Sequence, residues 1–163
     1  MQEPISLSTV FSYTKPHYIT VLTHQKQPLF QERFSCELLL NIITYNKYAL
    51  YYRVFGMVIM PDSLHIIFHS SFVQLYQVVR KTIGNFDRYY HQITGKLLPF
   101  WDSDYYAYPL EDYDTLKKVQ DHIHREPVRH GLVKDPEDYL YSSYRFYEQE
   151  GDEFILLLDK LSD

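Results

Sequence analysis

Hydrophobic and polar positions alternate from His17 to Thr23 (His-Tyr-Ile-Thr-Val-Leu-Thr), and the stretch is rich in β-branched residues. Both features predict a strand. The period then lengthens: Phe34, Leu38, Ile42 and Tyr45 recur at helical spacing, so a first helix is expected from about Phe30 to Tyr48. Leu50 to Met60 is a nearly unbroken apolar run, read as a second strand, and Ser63 to His69 alternates again as a third. Only a short turn around Pro61-Asp62 separates these two, which predicts an antiparallel hairpin. Phe72, Leu75, Val79, Ile83, Phe86 and Tyr90 define a second long helix ending near Thr94, where Gly95 supplies a natural stop. Lys96 to Asp104 reads as a loop and Tyr105 to Leu110 as a fourth strand. Asp112 or Asp114 can cap a third helix with Leu116, Val119 and Ile123 on its apolar face, ended by Pro127.

The order β-α-β-β-α-β-α is that of an α+β, ferredoxin-like antiparallel sheet with helices packed on it. Residues 1–16 show no clear periodicity and read as a loose lead-in. Residues 135–147 are tyrosine-rich and irregular, and Phe154 to Leu161 reads as a short amphipathic helix. No linker composition interrupts the chain, so the expectation is one domain over 1–147 followed by an acidic tail or short helix over 148–163.

Composition changes this picture in four places. The lone Cys36 of this 163-residue chain excludes an internal disulfide framework and fits a reducing cytoplasm. No apolar run reaches transmembrane length and no signal-peptide pattern opens the chain, so no membrane partner is expected. The net charge of −5 argues against a generically basic nucleic-acid binder, but the acidity is local. Residues 135–163 carry 9 Asp/Glu against 2 Lys/Arg, whereas residues 1–134 are close to neutral at +2. The 17 tyrosines and 10 phenylalanines serve as core, with some available as stacking platforms for unpaired bases.

The candidate chemistry lies on the third strand and the third helix. After Met60-Pro61-Asp62, the residues Ser63, His65, Ile67 and His69 share one strand face. Two polar side chains two apart on such a face have the geometry of a two-ligand metal site, with serine at the first position here. The plain alternative is a core strand with a hydrogen-bonded histidine. The helix continues as Asp121-His122-Ile123-His124-Arg125-Glu126-Pro127-Val128-Arg129-His130-Gly131-Leu132-Val133. Downstream follow Pro136-Glu137-Asp138-Tyr139 and Tyr141-Ser142-Ser143-Tyr144, and upstream Phe100-Trp101 and Tyr105-Tyr106. In order and spacing these segments resemble the motifs of the single-tyrosine HUH transposases, most nearly the REP-associated tyrosine transposase branch, over about residues 12–147.

The resemblance implies a ferredoxin-like fold and a site acting on single-stranded or hairpin DNA. In the family two strand histidines hold a divalent metal, Mg or Mn, beside the scissile phosphate. A helix tyrosine attacks the phosphodiester and an amide four residues on completes the metal site. Only His65 matches. Ser63 stands at the first metal-histidine position, His122 at the nucleophile and Glu126 at the amide. A neutral hydroxyl is a poor ligand for a divalent ion, whereas a carboxylate is a better hard-metal ligand than an amide. His65, His122 and Glu126 therefore remain a candidate three-ligand set, with three polar residues lining a solvated groove as the alternative and no metal as the favoured expectation. Histidine can attack phosphorus in principle, and Tyr105, Tyr106 or Tyr113 are the nearest substitute phenols.

Loss at both metal and nucleophile positions points to a transposase-like DNA-binding protein without strand-transfer activity. Arg125, Arg129, His130 and Lys134 are its candidate phosphate contacts, or else a solvated basic edge. The alternatives are an active metal-dependent DNA-cleaving transposase with altered residues, and a protein-interaction module using the tyrosine-rich surface and acidic tail.

Overall fold

The computed structural model describes residues 5–12, 14–97, 99–149, 154 and 156–162. Its centre is a four-stranded antiparallel sheet built from β2 (His17–Thr23), β3 (Arg53–Met60), β4 (Ser63–His69) and β5 (Trp101–Pro109), in the order β3-β4-β2-β5. This is the ferredoxin-like order that the succession of elements predicts. The β3–β4 hairpin closes with Met60 opposite Ser63. Its Pro61-Asp62 turn is held from outside: Phe30 N–H donates to the Pro61 carbonyl, and Thr23 N–H to that of Asp62, each at 2.9 Å.

The alternation of β4 divides the molecule into two apolar layers. Leu64, Ile66 and Phe68 join Ile19, Val21, Met57 and Ile59 beneath α2 (Arg33–Leu50) and α3 (Leu75–Thr94). Ile67 faces the other way and packs with Phe55, Val58, Leu116 and Ile123 under α4 (Tyr113–Arg129). The β3–β4 register slips between Val54 and Gly56, and this bulge turns Phe55 and Gly56 together toward α4. A Cβ on Gly56 would lie 3.3 Å from Ile123 Cδ1 and 3.4 Å from Gln120 Cγ, so the bare glycine is what lets the helix come this near. Gln120 Nε2 then donates to the Phe55 carbonyl at 2.6 Å, fixing α4 on β3.

Several boundaries differ from those expected. The first helix runs on through Leu50, and Tyr51 in a left-handed conformation (φ 55°) closes it before β3 starts at Arg53. The apolar stretch around Leu50 had hidden this turn, because the side chain of Tyr51 points to solvent. The second long helix begins at Leu75 rather than Phe72; Ser70 Oγ accepts from the Phe72 and Val73 amides and shapes the preceding turn. The fourth strand begins four residues early, so Trp101 belongs to β5. Pro127 lies inside α4 and does not end it. Only two more helical residues follow, so the missing N–H costs a single bond in a fraying last turn.

The ends depart most. The lead-in contains β1 (Ile5–Ser6) and α1 (Leu7–Ser12), with Val10 buried beside Phe55 and Leu110. A short α5 (Tyr144–Glu148) follows Ser143. The helix expected over Phe154–Leu161 is, in its described part, a turn leading into β6 (Leu161–Ser162), which pairs in parallel with β1. Ile155 lies outside the described residues. Leu157 and Leu158 are buried, and so is Asp159, whose carboxylate binds Lys47 Nζ at 2.8 Å, Arg53 Nη1 at 3.1 Å and the Val54 amide at 2.9 Å. The last described residues are therefore part of the packed body. No helix among the described residues is long and apolar enough to cross a membrane.

Candidate functional site

β4 presents Ser63 and His65 on the face that α4 covers, and β2 lies alongside with Thr20 paired to His65 and Tyr18 to Ile67. Tyr18 and Thr20 thus flank the imidazole from the neighbouring strand. Ser63 Oγ donates to Asp62 Oδ1 at 3.3 Å, so it accepts from His65 Nε2 at 3.1 Å. That leaves His65 Nδ1 to accept from the Tyr18 hydroxyl at 2.7 Å. A relay Tyr18→His65→Ser63→Asp62 results, with each group used once as donor. Burial holds the His65 imidazole down at about 4, against a smaller opposing pull from Glu126, and burial raises the Tyr18 phenol above its ordinary value. His65 is thus a neutral ring with both nitrogens occupied.

α4 brings the second half of the site. His122 and Glu126 are four residues apart and share a helix face, with His122 Nε2 3.3 Å from Glu126 Oε1. Arg129 Nη2 shares its two hydrogens among the same oxygen, the His122 carbonyl at 2.6 Å and His122 Nδ1 at 3.0 Å. His130 Nδ1 lies 3.0 Å from the Glu126 carbonyl and 3.5 Å from Glu126 Oε2. Glu126 and His122 act electrostatically on His65, and Glu126 and Arg129 on Tyr18, so the helix cluster and the strand relay lie within electrostatic reach of one another. The glutamate before Pro127, whose aim the sequence leaves open, points inward.

Sequence reasoning therefore places His65, Ser63, His122 and Glu126 in one neighbourhood, and the structure brings them there in two separate networks. Among the described residues no three His, Cys, Asp or Glu side chains gather as a metal-binding group. The residues present do not fit the divalent ion implied by the resemblance. The His65 lone pair is directed at Tyr18, and the Glu126 carboxylate is taken by an arginine flanked by two imidazoles. Of the four candidate phosphate contacts, Arg125 and Lys134 are exposed and make no ion pair among the described residues, whereas Arg129 and His130 are turned onto Glu126.

Tyr18 is the site residue that sequence reasoning missed. Its signal was available: β2 neighbours β4 in this fold, and Tyr18 lies two residues along, on the same face, from Thr20, the strand partner of His65. Tyr105, Tyr106 and Tyr113, the substitutes named from sequence, sit on β5 and at the start of α4. His124, two residues from His122, faces inward instead. It is buried, its Nε2 lies 2.7 Å from Ser143 Oγ, and Ser143 Oγ accepts from the Met57 amide. The Tyr141-Ser142-Ser143-Tyr144 motif is thereby a clasp. Ile59 N–H donates to the Tyr141 carbonyl and Ser143 N–H to that of Met57, each at 2.9 Å, along the open edge of β3.

The four-stranded sheet with its helices agrees with known structures at the level of fold. The structure of a REP-associated tyrosine transposase bound to a REP hairpin matches 100% of this chain and 92% of its own, with a TM-score of 0.73 at 17% identity. A crystal structure of a protein assigned as a transposase from Deinococcus radiodurans R1 matches 77% of this chain and 98% of its own, with a TM-score of 0.53 at 14% identity. No family model matches the chain, and no curated protein sequence does. The chain has a REP-associated tyrosine transposase fold, as its motifs lead one to expect.

Proposed function

We propose that the protein binds single-stranded or hairpin DNA in the cytoplasm through the groove between β4 and α4, without transferring strands. The observation that carries this reading is the pairing of a transposase fold over the whole chain with an altered nucleophile position. The similar transposase is bound to a REP hairpin, while here the position holds His122, engaged by Arg129 and facing Glu126. An imidazole in that network accepts a hydrogen bond at one nitrogen and turns the other toward a carboxylate. It has no lone pair free for attack on phosphorus.

Fluorescence anisotropy with a labelled DNA hairpin should give saturable binding whose logarithm falls linearly with the logarithm of salt. Arg125→Ala and Lys134→Ala should each reduce that slope by about 0.7–0.9, the value of one phosphate contact. Binding that does not respond to salt would count against the groove and favour a protein-interaction role. Incubation of hairpin DNA with Mg²⁺ or Mn²⁺ should leave no protein–DNA band on a denaturing gel. One observation favours a catalytic second reading: Tyr18 places a phenol 2.7 Å from His65 in the same groove. A covalent band lost in Tyr18→Phe and retained in His122→Ala would establish it and overturn the first.

A further inference from the structure

Glu126 is the most sheltered member of its cluster, its side chain 12% exposed, while His122, Arg129 and His130 around it are 48%, 44% and 61% exposed. Three nitrogen-bearing arms reach in from solvent and converge on one acid. The tautomers follow from the partners. His122 Nδ1 accepts from Arg129, so Nε2 carries the hydrogen and turns it toward Glu126 Oε1. His130 Nδ1 faces two acceptors of Glu126, its carbonyl and Oε2, so that nitrogen is the protonated one. Every polar hydrogen directed at the carboxylate is therefore of the kind that also binds a phosphate oxygen, and a guanidinium N–H suits either anion.

Two of the arms are also held independently of the carboxylate. Arg129 is held by the His122 carbonyl at 2.6 Å, and His130 by the Glu126 carbonyl at 3.0 Å. Removing the acid would leave these donors held together on one face of α4. We propose that His122, Arg129 and His130 form a binding site for a phosphate group of a nucleic-acid backbone, and that the carboxylate of Glu126 occupies it in the free protein. An acid tethered on the same helix competes as an intramolecular ligand at high effective concentration, so a phosphate must displace it. The nature of the anion follows from the cradle itself; only its source in DNA rests on the function proposed above.

The test titrates inorganic phosphate into the full-length protein at one neutral pH, following the ring signals of His122 and His130 by NMR. In Glu126→Gln these signals should saturate at a phosphate concentration at least about tenfold lower than in the parent protein, a difference of about 1.4 kcal/mol. Glu126→Asp, which keeps the charge, should gain far less. Arg129→Ala in the Glu126→Gln background should abolish the gain, and thermal melts confirm that each variant is folded. A Glu126→Gln protein that titrates like its parent, or whose gain survives loss of Arg129, overturns the proposal. Hairpin DNA forms the second arm: it should bind Glu126→Gln about tenfold more tightly at low salt and by a smaller factor at high salt. A phosphate response without any hairpin binding by either protein would uphold the cradle and remove the nucleic-acid reading.

Discussion

Burial favours the neutral form of His65, His69 and His124, and two of these, His65 and His124, serve different ends. His65 titrates at about 4 within the Tyr18 and Ser63 relay, and His124 at about 3 between Ser143 and the rings of Tyr144 and Tyr147. Both values lie below that of an exposed imidazole, near 6.5, so the unfolded chain takes up these protons first. Their contribution to stability is complete above about pH 6.5 and is lost as the pH falls toward the folded values, by up to about 1.4 kcal/mol per pH unit for each ring. Urea unfolding followed by tryptophan fluorescence between pH 7 and pH 4 should show this decline, and His124→Gln should make it shallower. Ser143→Ala tests the same corner at fixed pH. It strands the Met57 amide and one His124 nitrogen in the interior, and should cost about 1–3 kcal/mol in the same assay.

At the scale of elements, the placing of α4 decides whether the two halves of the site meet. The helix is lowered onto β3 at Gly56, so a larger residue there should act on the site from a distance. Gly56→Val would force Ile123 and Gln120 outward, costing about 1–3 kcal/mol and raising hydrogen exchange along α4 before other elements respond. An unchanged exchange profile would show that α4 does not depend on this contact. The elements themselves were largely legible in the sequence, because β2, β4, α3 and α4 each carry a clean period of two or 3.6. Their ends were not. Tyr51 adopts a left-handed turn without glycine, Ser70 shapes a turn by a side-chain bond, and Pro127 sits where its missing N–H costs little. The site was legible by position, since the motifs name His65, His122 and Glu126, but not by partner. Which side chain accepts from which depends on strand order and on the aim of Glu126, and neither leaves a mark on periodicity. Tyr18 could be found only by combining the strand order implied by the succession of elements with the β2–β4 register.

For the whole molecule, the informative contact joins Lys47 on α2 to Asp159 near the end of the chain. Both side chains are 2% exposed, and burial lowers the lysine against the pull of its partner. Removing one member of such a pair leaves an uncompensated buried charge, so Asp159→Ala should destabilise the protein by about 3–5 kcal/mol in chemical denaturation. Truncation after Glu148 should do at least as much. The same region has a consequence for synthesis. β3 is an outer strand, and its exposed row of amides and carbonyls is covered by Tyr141 and Ser143 and then by Asp159, whose amide donates to the Val54 carbonyl at 2.8 Å. On the ribosome the strand emerges about a hundred residues before its cover, so a nascent or prematurely terminated chain presents a bare sheet edge open to pairing with its neighbours. A stop codon within this last stretch would then be read in the cell as aggregation before it was read as loss of binding.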